Sequence, residues 1–521
     1  MASRQLCLIG IDIGTSSTKV GAFDRRGNLL ALERAPTPTV DLGRGWAEHD
    51  PAALWSVTAA LIQRVVAAVK RSAEPVAVAA ASVGEAGLPV DHAGSPLRYA
   101  IAWFDQRTTA QAAWWKQAVG MDDTHRISGQ TIDTQFGVNK LLWIRENEPA
   151  VFAHTAHWLS LADFIVLRLC GEVATDPTLA SRTMVFDQAE LDWSSELLAE
   201  ARLDRSLFPP IIHSGARIGS VTKEASGTTG LPAGIPVVAG GHDRLCGAFA
   251  ARAGTNAMVD STGSAEAVVM PTARFEPRGA AESGFVACYS DVVPGAFVYS
   301  ARIAYSGALL EWFRHSILGG SGGGDRAPSF QELMDEIPRP LRFSGLFVFP
   351  SFGRVVSPFW DPAYAPGMIV GLTLRHTRGQ IVQAILEGIG YALRANLLWL
   401  ETLGEHRDAP LKVEGGATKN SLWMQLKSDI TGRTVEGVRR GEATVLGAAM
   451  LAGVGAGVFR NHAEAASLLK GPVDVWEPDP FRSALYSEVY DRAYTTAAPS
   501  LGSVTALLSA LLEDSQPQAP S

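Results

Sequence analysis

The apolar run from Leu6 to Ile13, interrupted by Asp12, predicts a buried strand. Small polar residues from Gly14 to Thr18 predict a tight turn, and Lys19 to Phe23 the returning strand of a β-hairpin. Arg25-Arg26-Gly27-Asn28 turns the chain into a third strand. Asp50-Pro51 then has the form of an N-cap followed by proline at the first helical position, with Leu54, Leu61, Val65 and Val69 on one helical stripe. Val76 to Ala81 reads as a strand again. Strands followed by a crossover helix fit an α/β domain with a mixed sheet.

Past a stretch rich in glycine, proline and serine, Pro209 to Pro236, the pattern restarts. Val237-Val238-Ala239 reads as a strand, and Gly240-Gly241-His242-Asp243 opens a helical segment through Ala251. Met258 to Met270 predicts a second strand-turn-strand unit with Asp260, Gly263 and Ser264 at its turn, echoing the first hairpin in the manner of an internal duplication. Gly319 to Gly324 reads as a flexible surface loop, and Glu513 to Ser521 as a disordered polar tail.

At 521 residues the chain exceeds one hydrophobic core. We divide it into residues 1–253, residues 254–500 and a tail of residues 501–521, so that a cleft between two domains is the expected place for chemistry. Apolar residues make up 47% and charged residues 19%, the balance of a folded globular protein. A net charge of -8 and a pI near 5.8 argue against nucleic acid or an anionic membrane surface as partner, so any bound phosphate must be gripped locally by loops. The four cysteines, Cys7, Cys170, Cys246 and Cys288, show no metal or disulfide spacing, and no apolar stretch approaches the roughly 20 residues of a membrane span. A cytoplasmic protein is expected.

Asp12-Ile13-Gly14-Thr15-Ser16-Ser17-Thr18-Lys19 places backbone N–H groups and hydroxyls at a hairpin tip, where they can cradle phosphate oxygens. Asp12 repels phosphate, so its natural partner there is a bridging Mg²⁺; the bland alternative is a solvated turn. Asp260 to Ser264 and Val413 to Asn420 offer two further approaches for a nucleotide, against the alternative of ordinary loop glycines. Trp103-Phe104-Asp105-Gln106-Arg107 combines an aromatic plate, an acceptor and a forked donor, the mixture a hydroxyl-rich ligand needs, or else a buried Trp beside an Asp105–Arg107 ion pair. Asp243, at a helix start after two glycines, can accept a proton from a hydroxyl, or simply cap the helix. His242 is given no proton-transfer role.

In this order the pieces resemble the FGGY family of carbohydrate kinases, of the actin/hexokinase-like ATPase fold, from about Leu6 to about Val458. Phe136 to Trp143 is similar to the first family signature, Gly371-Leu372-Thr373 with Ile381 to Ala392 to the second, and Gly441 to Ala449 to its closing helix; Leu161 to Asp187, with Ala180-Ser181-Arg182-Thr183, resembles another family passage. The resemblance implies an α/β protein of two ribonuclease-H-like domains, with ATP, Mg²⁺ and a small sugar or polyol, such as a pentulose or other ketose, in the interdomain cleft. By the same resemblance Asp12 is the Mg²⁺-associated residue and Asp243 the general base. Gly14, Thr15, Ser16, Gly263, Ser264, Gly307, Gly416, Ala417 and Asn420 fall at nucleotide contacts, and Glu85, Trp103, Asp105, Gln135, Asp243 and Arg244 at the substrate pocket.

The chain departs from the family pattern in several places. Ser264-Ala265 replaces Thr-Ser, Gly415-Gly416-Ala417 replaces a triple glycine, and Arg244 stands where many relatives carry Gln or Asn. Ser82 to Gly87 lacks both the Gln-Arg-Glu-Thr of glycerol kinases and the Gln-Met-His of xylulose kinases. Arg244 suits a carboxylate, a carbonyl or a dense hydroxyl face, or pairs with Glu85 or Asp105 and shapes the pocket. The alternatives to a sugar kinase are a kinase of this fold acting on a non-sugar, such as a furanone or quinone-like ligand, and an actin-like structural ATP-binding protein. Monomer and homodimer are both left open.

Overall fold

The computed structural model describes residues 5–277, 286–319, 327–350, 367–403, 409–438, 442–469 and 471–514. The first hairpin forms as its pattern dictates: Gln5–Ile13 pairs antiparallel with Ser17–Phe23, which pairs antiparallel with Leu29–Pro36. On the other side Gln5–Ile13 runs parallel to Ala73–Ser82, then Pro236–His242 follows in parallel and Arg217–Ser220 closes the edge in reverse. The second sheet repeats these directions. Val259–Thr262 pairs antiparallel with Glu266–Thr272, which adds Phe297–Ile303 and Val286–Ser290 in turn. On its other side come Leu411–Glu414 and Val435–Val438 in parallel, and Val473–Trp476 in reverse. The echo between the two hairpins is therefore an echo between two whole sheets of an α/β protein.

The helix Pro51–Val69 is capped by Asp50, whose side chain accepts from Ala52 N and Ala53 N. Its Leu54, Leu61, Ile62, Val65 and Val69 are buried against Ile9, Ile11, Val20 and Val78 of the first sheet, at about 1.5–3 kcal/mol for each large aliphatic side chain removed from water. The sequence reading of membrane segments needs correction here, because this 19-residue helix is long and apolar enough to cross a bilayer. Its apolar face belongs to the core.

Two helices join the halves. Asp243–Arg252 and Ala443–Gly455 share one core with Leu8 and Ala79 of the first sheet and Val259 and Val269 of the second. A Cβ on Gly447 would lie 1.9 Å from Cys246 O, so this pair of helices meets backbone to backbone. Other expectations need adjusting. Gly240, Gly241 and His242 complete a strand and the helix starts at Asp243, because the glycines lie in the parallel ladder beside Ala80 and Ala81. Asp260 is in a strand, not at the turn. The tail expected over 501–521 is helical as far as Asp514, continuing the helix Thr495–Asp514. Residues 515–521, and 320–324 of the glycine run, lie outside the described residues.

Candidate active site

The first turn follows from its register: Asp12 faces Lys19 and Ile13 faces Thr18 across the hairpin, leaving Gly14-Thr15-Ser16 at the tip. Gly14 N donates to Ser17 O at 3.2 Å, and Thr37 Oγ1 donates to Gly14 O at 2.7 Å. The second turn, Gly263-Ser264-Ala265, is closed by Gly263 N donating to Ala265 O at 2.9 Å. Gly307 N donates to Gly263 O at 3.0 Å and Ser306 N to Ser264 O at 2.9 Å, so Gly307 is seated directly on the second turn. Gly415 comes to it from another side. Its φ of 102° is left-handed, and a Cβ there would lie 2.3 Å from Thr262 O, so a side chain at this position would push the Gly416-Ala417 loop off the hairpin. Gly416 faces open space, Ala417 is buried, and Asn420 caps the helix Ser421–Thr431 by accepting from Trp423 N.

Asp243 opens its helix with a quarter of its side chain open to the cleft, and Oδ1 accepts from Arg244 N at 2.6 Å. Burial pushes its carboxyl up to about 6, against the opposing pull of Arg244. His242, also buried, is held well below the usual imidazole range, first by burial and then by Arg182; it is neutral, with Nε2 3.3 Å from Asp243 Oδ1. His242 is thus a packed neighbour of Asp243.

Acid surrounds the first turn. Burial raises Asp12 to about 7, Lys19 pulls it down, and Asp243, Glu442 and Glu414 push it further up. Lys19 Nζ stands 3.7 Å from Asp12 Oδ2 and 2.7 Å from Glu442 Oε2, while Asp12 Oδ1 is buried with no hydrogen-bond partner. An orphaned carboxylate oxygen with three further acids around it fits a hard cation. Mg²⁺ typically takes only one or two protein carboxylates, the rest of its shell being water and phosphate. Glu414 and Glu442 lie in two stretches that the sequence marked, Val413 to Asn420 and Gly441 to Ala449, but neither was given a role there.

Between the two turns lies a cavity of about 330 Å³. Thr15, Gly263 and Ser264 wall one part of it, and Glu85, Trp103, Gln135, Asp243 and Arg244 another. Eight of the sixteen residues selected from the sequence therefore line one cavity, whereas Asp12, Gly14, Ser16, Gly307, Gly416, Ala417 and Asn420 do not. Neither does Asp105. Its oxygens accept from Ala47 N, Arg107 N, Arg107 Nε and Arg107 Nη2, at 2.7 to 2.9 Å, and it is 1% exposed. Arg107 is further fixed by Glu48 and lies over the rings of Trp46 and Trp143. The ion pair is thus the right reading of this cluster, and Gln106 takes the place on the cavity wall given to Asp105.

Glu85 is likewise engaged by a buried ion pair with Arg182, whose Nε donates to Oε1 at 3.0 Å. Burial alone would raise Glu85, but Arg182 holds it well below the usual carboxylate range. Arg182 sits in a segment that the sequence already marked, without a role. Arg302, Asp133 and Tyr305 also line the cavity and were missed, having no motif around them.

Trp103 Nε1 donates to Thr15 Oγ1 at 2.8 Å, tying the cavity wall to the first turn. One neutral hydrogen bond of this kind corresponds to about a two- to tenfold effect on binding. Trp103→Phe is therefore expected to raise the KM for ATP and for the acceptor within that range in steady-state kinetics, and an unchanged KM for both would show that the contact carries no load.

Comparison with known proteins gives the family. Residues 7–250 match the N-terminal domain model of the FGGY family of carbohydrate kinases, and residues 248–456 its C-terminal domain model. Glycerol kinase 2 of Thermotoga maritima is 28% identical over 94% of this chain and 96% of its own length. The autoinducer-2 kinase of Klebsiella pneumoniae is 27% identical over 95% and 94%. The solved xylulose kinase of Rhodospirillum rubrum superimposes with a TM-score of 0.82 at 27% identity, over 96% of this chain and all of that one. The chain belongs to the FGGY family of carbohydrate kinases and is a phosphotransferase with an alcohol acceptor, in a family that takes its phosphate from ATP.

Proposed function

We propose that the protein transfers the γ-phosphoryl group of Mg-ATP to a hydroxyl of a small sugar or polyol, of the size and kind of a pentulose, with Asp243 as general base. One observation carries this reading: a single cavity is walled both by the Gly263-Ser264 turn and Thr15, which suit phosphate, and by Asp243 with Trp103 and Gln135, which suit a polyol. The acceptor oxygen forms a bond to the γ phosphorus while the bond to the β–γ bridging oxygen breaks, the hydroxyl proton passes to Asp243, and ADP leaves. Asp12 is the residue to hold Mg²⁺, which when bound neutralises phosphate charge. Backbone N–H groups of the two turns position the phosphates, and His242 holds the base.

Turnover of ATP over ketoses, aldoses, polyols and sugar acids, measured as ADP release, tests the reading. A furanone belongs in the same panel, because one relative is named an autoinducer-2 kinase. ATP consumption independent of any acceptor would overturn the proposal.

The raised carboxyl of Asp243 fixes the sign of the pH profile. Below its pKa the group is protonated and cannot take the hydroxyl proton, so kcat/KM should rise with pH through an acid limb at about 6. Since Arg244 pulls that value down, Arg244→Gln should move the limb to higher pH. A flat profile between pH 5 and 8 would remove Asp243 from the role.

A further inference from the structure

A narrow recess of about 10 Å³ shares Arg244 and Arg302 with the main cavity, and offers room for about one water-sized oxygen. Its polar lining is dominated by donors. Arg182 crosses it, engaged by Glu85 and by Gln130 Oε1 at 3.0 Å. Because that oxygen of Gln130 is already taken, its amide nitrogen is what remains, and Gln130 Nε2 is buried with no partner. The hydroxyl of Tyr289 is buried without a partner too, and both residues are 1% exposed. Arg302 stands 3.7 Å from Asp133. Arg244 is different: among the described residues its guanidinium makes no hydrogen bond or ion pair, since Glu85 is taken by Arg182 and Asp105 by Arg107. The pairing alternatives raised for Arg244 are therefore closed.

Buried donors left unpaired beside an unpaired guanidinium describe the complement of a group that only accepts. A neutral sugar hydroxyl can be met here by the hydroxyls of Thr131, Tyr289 and Ser300, but it brings no charge to set against the guanidinium groups. A carboxylate brings two acceptor oxygens and a charge, and suits the planar fork of arginine. The recess has room for one of those oxygens, which leaves the other to the main cavity that shares Arg244 and Arg302. Resting on the kinase reading above, we propose that the acceptor is a sugar acid: its carboxylate docks at the recess against Arg244, with Gln130 and Tyr289 as supporting donors, and a hydroxyl elsewhere on its chain reaches Asp243.

The test compares five- and six-carbon aldonates with the neutral alditols of the same configuration, by ADP release from the full-length enzyme. The best aldonate should exceed its alditol in kcat/KM by at least about tenfold. Arg244→Gln should lower kcat/KM for the aldonate by about 10–100-fold beyond any loss it causes with the alditol, and Tyr289→Phe should lower the aldonate alone by less. If the Gln variant folds poorly by its thermal melt, Arg244→Lys, which keeps the charge without the fork, carries the same comparison. Preference for the alditol or a neutral ketose, or equal losses for acid and alditol in the variants, overturns the sugar-acid assignment while leaving the kinase reading standing. Failure of the kinase reading would show differently, as ADP release that no acceptor stimulates.

Discussion

Asp243→Asn should lower kcat by about 10²–10⁴-fold, the usual loss when a positioned general base is removed. Asparagine keeps the shape, can still accept from Arg244 N, and removes only the capacity to take up a proton. Nucleotide affinity should change little, because the turns proposed to hold the phosphates stand on hydrogen bonds that do not involve residue 243: Gly14 N to Ser17 O, Gly263 N to Ala265 O and Gly307 N to Gly263 O. Steady-state kinetics with the true acceptor, beside equilibrium binding of ADP, separates the two quantities. Near-normal turnover would assign the proton to another group, and a matched loss of ADP binding would make Asp243 a structural residue.

The second large effect is on stability. Lys427, 1% exposed, reaches from the helix Ser421–Thr431 to Asp260, to Glu266 Oε1 at 2.9 Å and to Thr262 Oγ1 at 2.8 Å. Both carboxylate side chains are fully buried, so Lys427→Met leaves two acids around one lost cation. Breaking a buried pair from one side typically costs about 3–5 kcal/mol, which a denaturant midpoint reads directly. Burial and the neighbouring Asp260 already push Glu266 up to about 7, so without the lysine it should take up a proton. The damage should reach the site, since Glu266 Oε2 accepts from Ser306 Oγ at 2.9 Å and Ser306 N holds Ser264 O. A raised KM for ATP is therefore expected alongside the lost stability. Adding Asp260→Asn and Glu266→Gln should restore part of the stability, whereas a Lys427→Met protein as stable as the parent would refute the account of this cluster.

Much of this was written in local sequence. The hairpin, the Asp50 cap and the strand–helix passage at Asp243 each announce themselves through a short-range pattern, because the forces that set them act within a few residues. The second turn was found by its likeness to the first. What escaped was long-range pairing. Asp105 appeared as a ligand contact because its use by Ala47 N, 58 residues away in sequence, leaves no trace in the motif. Glu85 and Arg182 lie 97 residues apart, and Asp260 and Lys427 lie 167 apart; a single sequence gives no sign that such charges will cancel. The lack of an ion pair for Arg244 is the remainder of that accounting, visible only once Glu85 and Asp105 had found their partners.

The central claim is that Asp12, the Gly263-Ser264 turn and the Gly416 loop surround one nucleotide whose terminal phosphate Asp243 faces. A crystal structure with Mg²⁺ and a non-hydrolysable ATP analogue tests it most directly. The account predicts the triphosphate between the Thr15 and Ser264 turns, the cation against Asp12, the adenosine beside Gly416 and Ala417, and the Asp243 carboxylate opposite the γ phosphorus. An analogue bound outside this cleft, or a terminal phosphate turned away from Asp243, would contradict it.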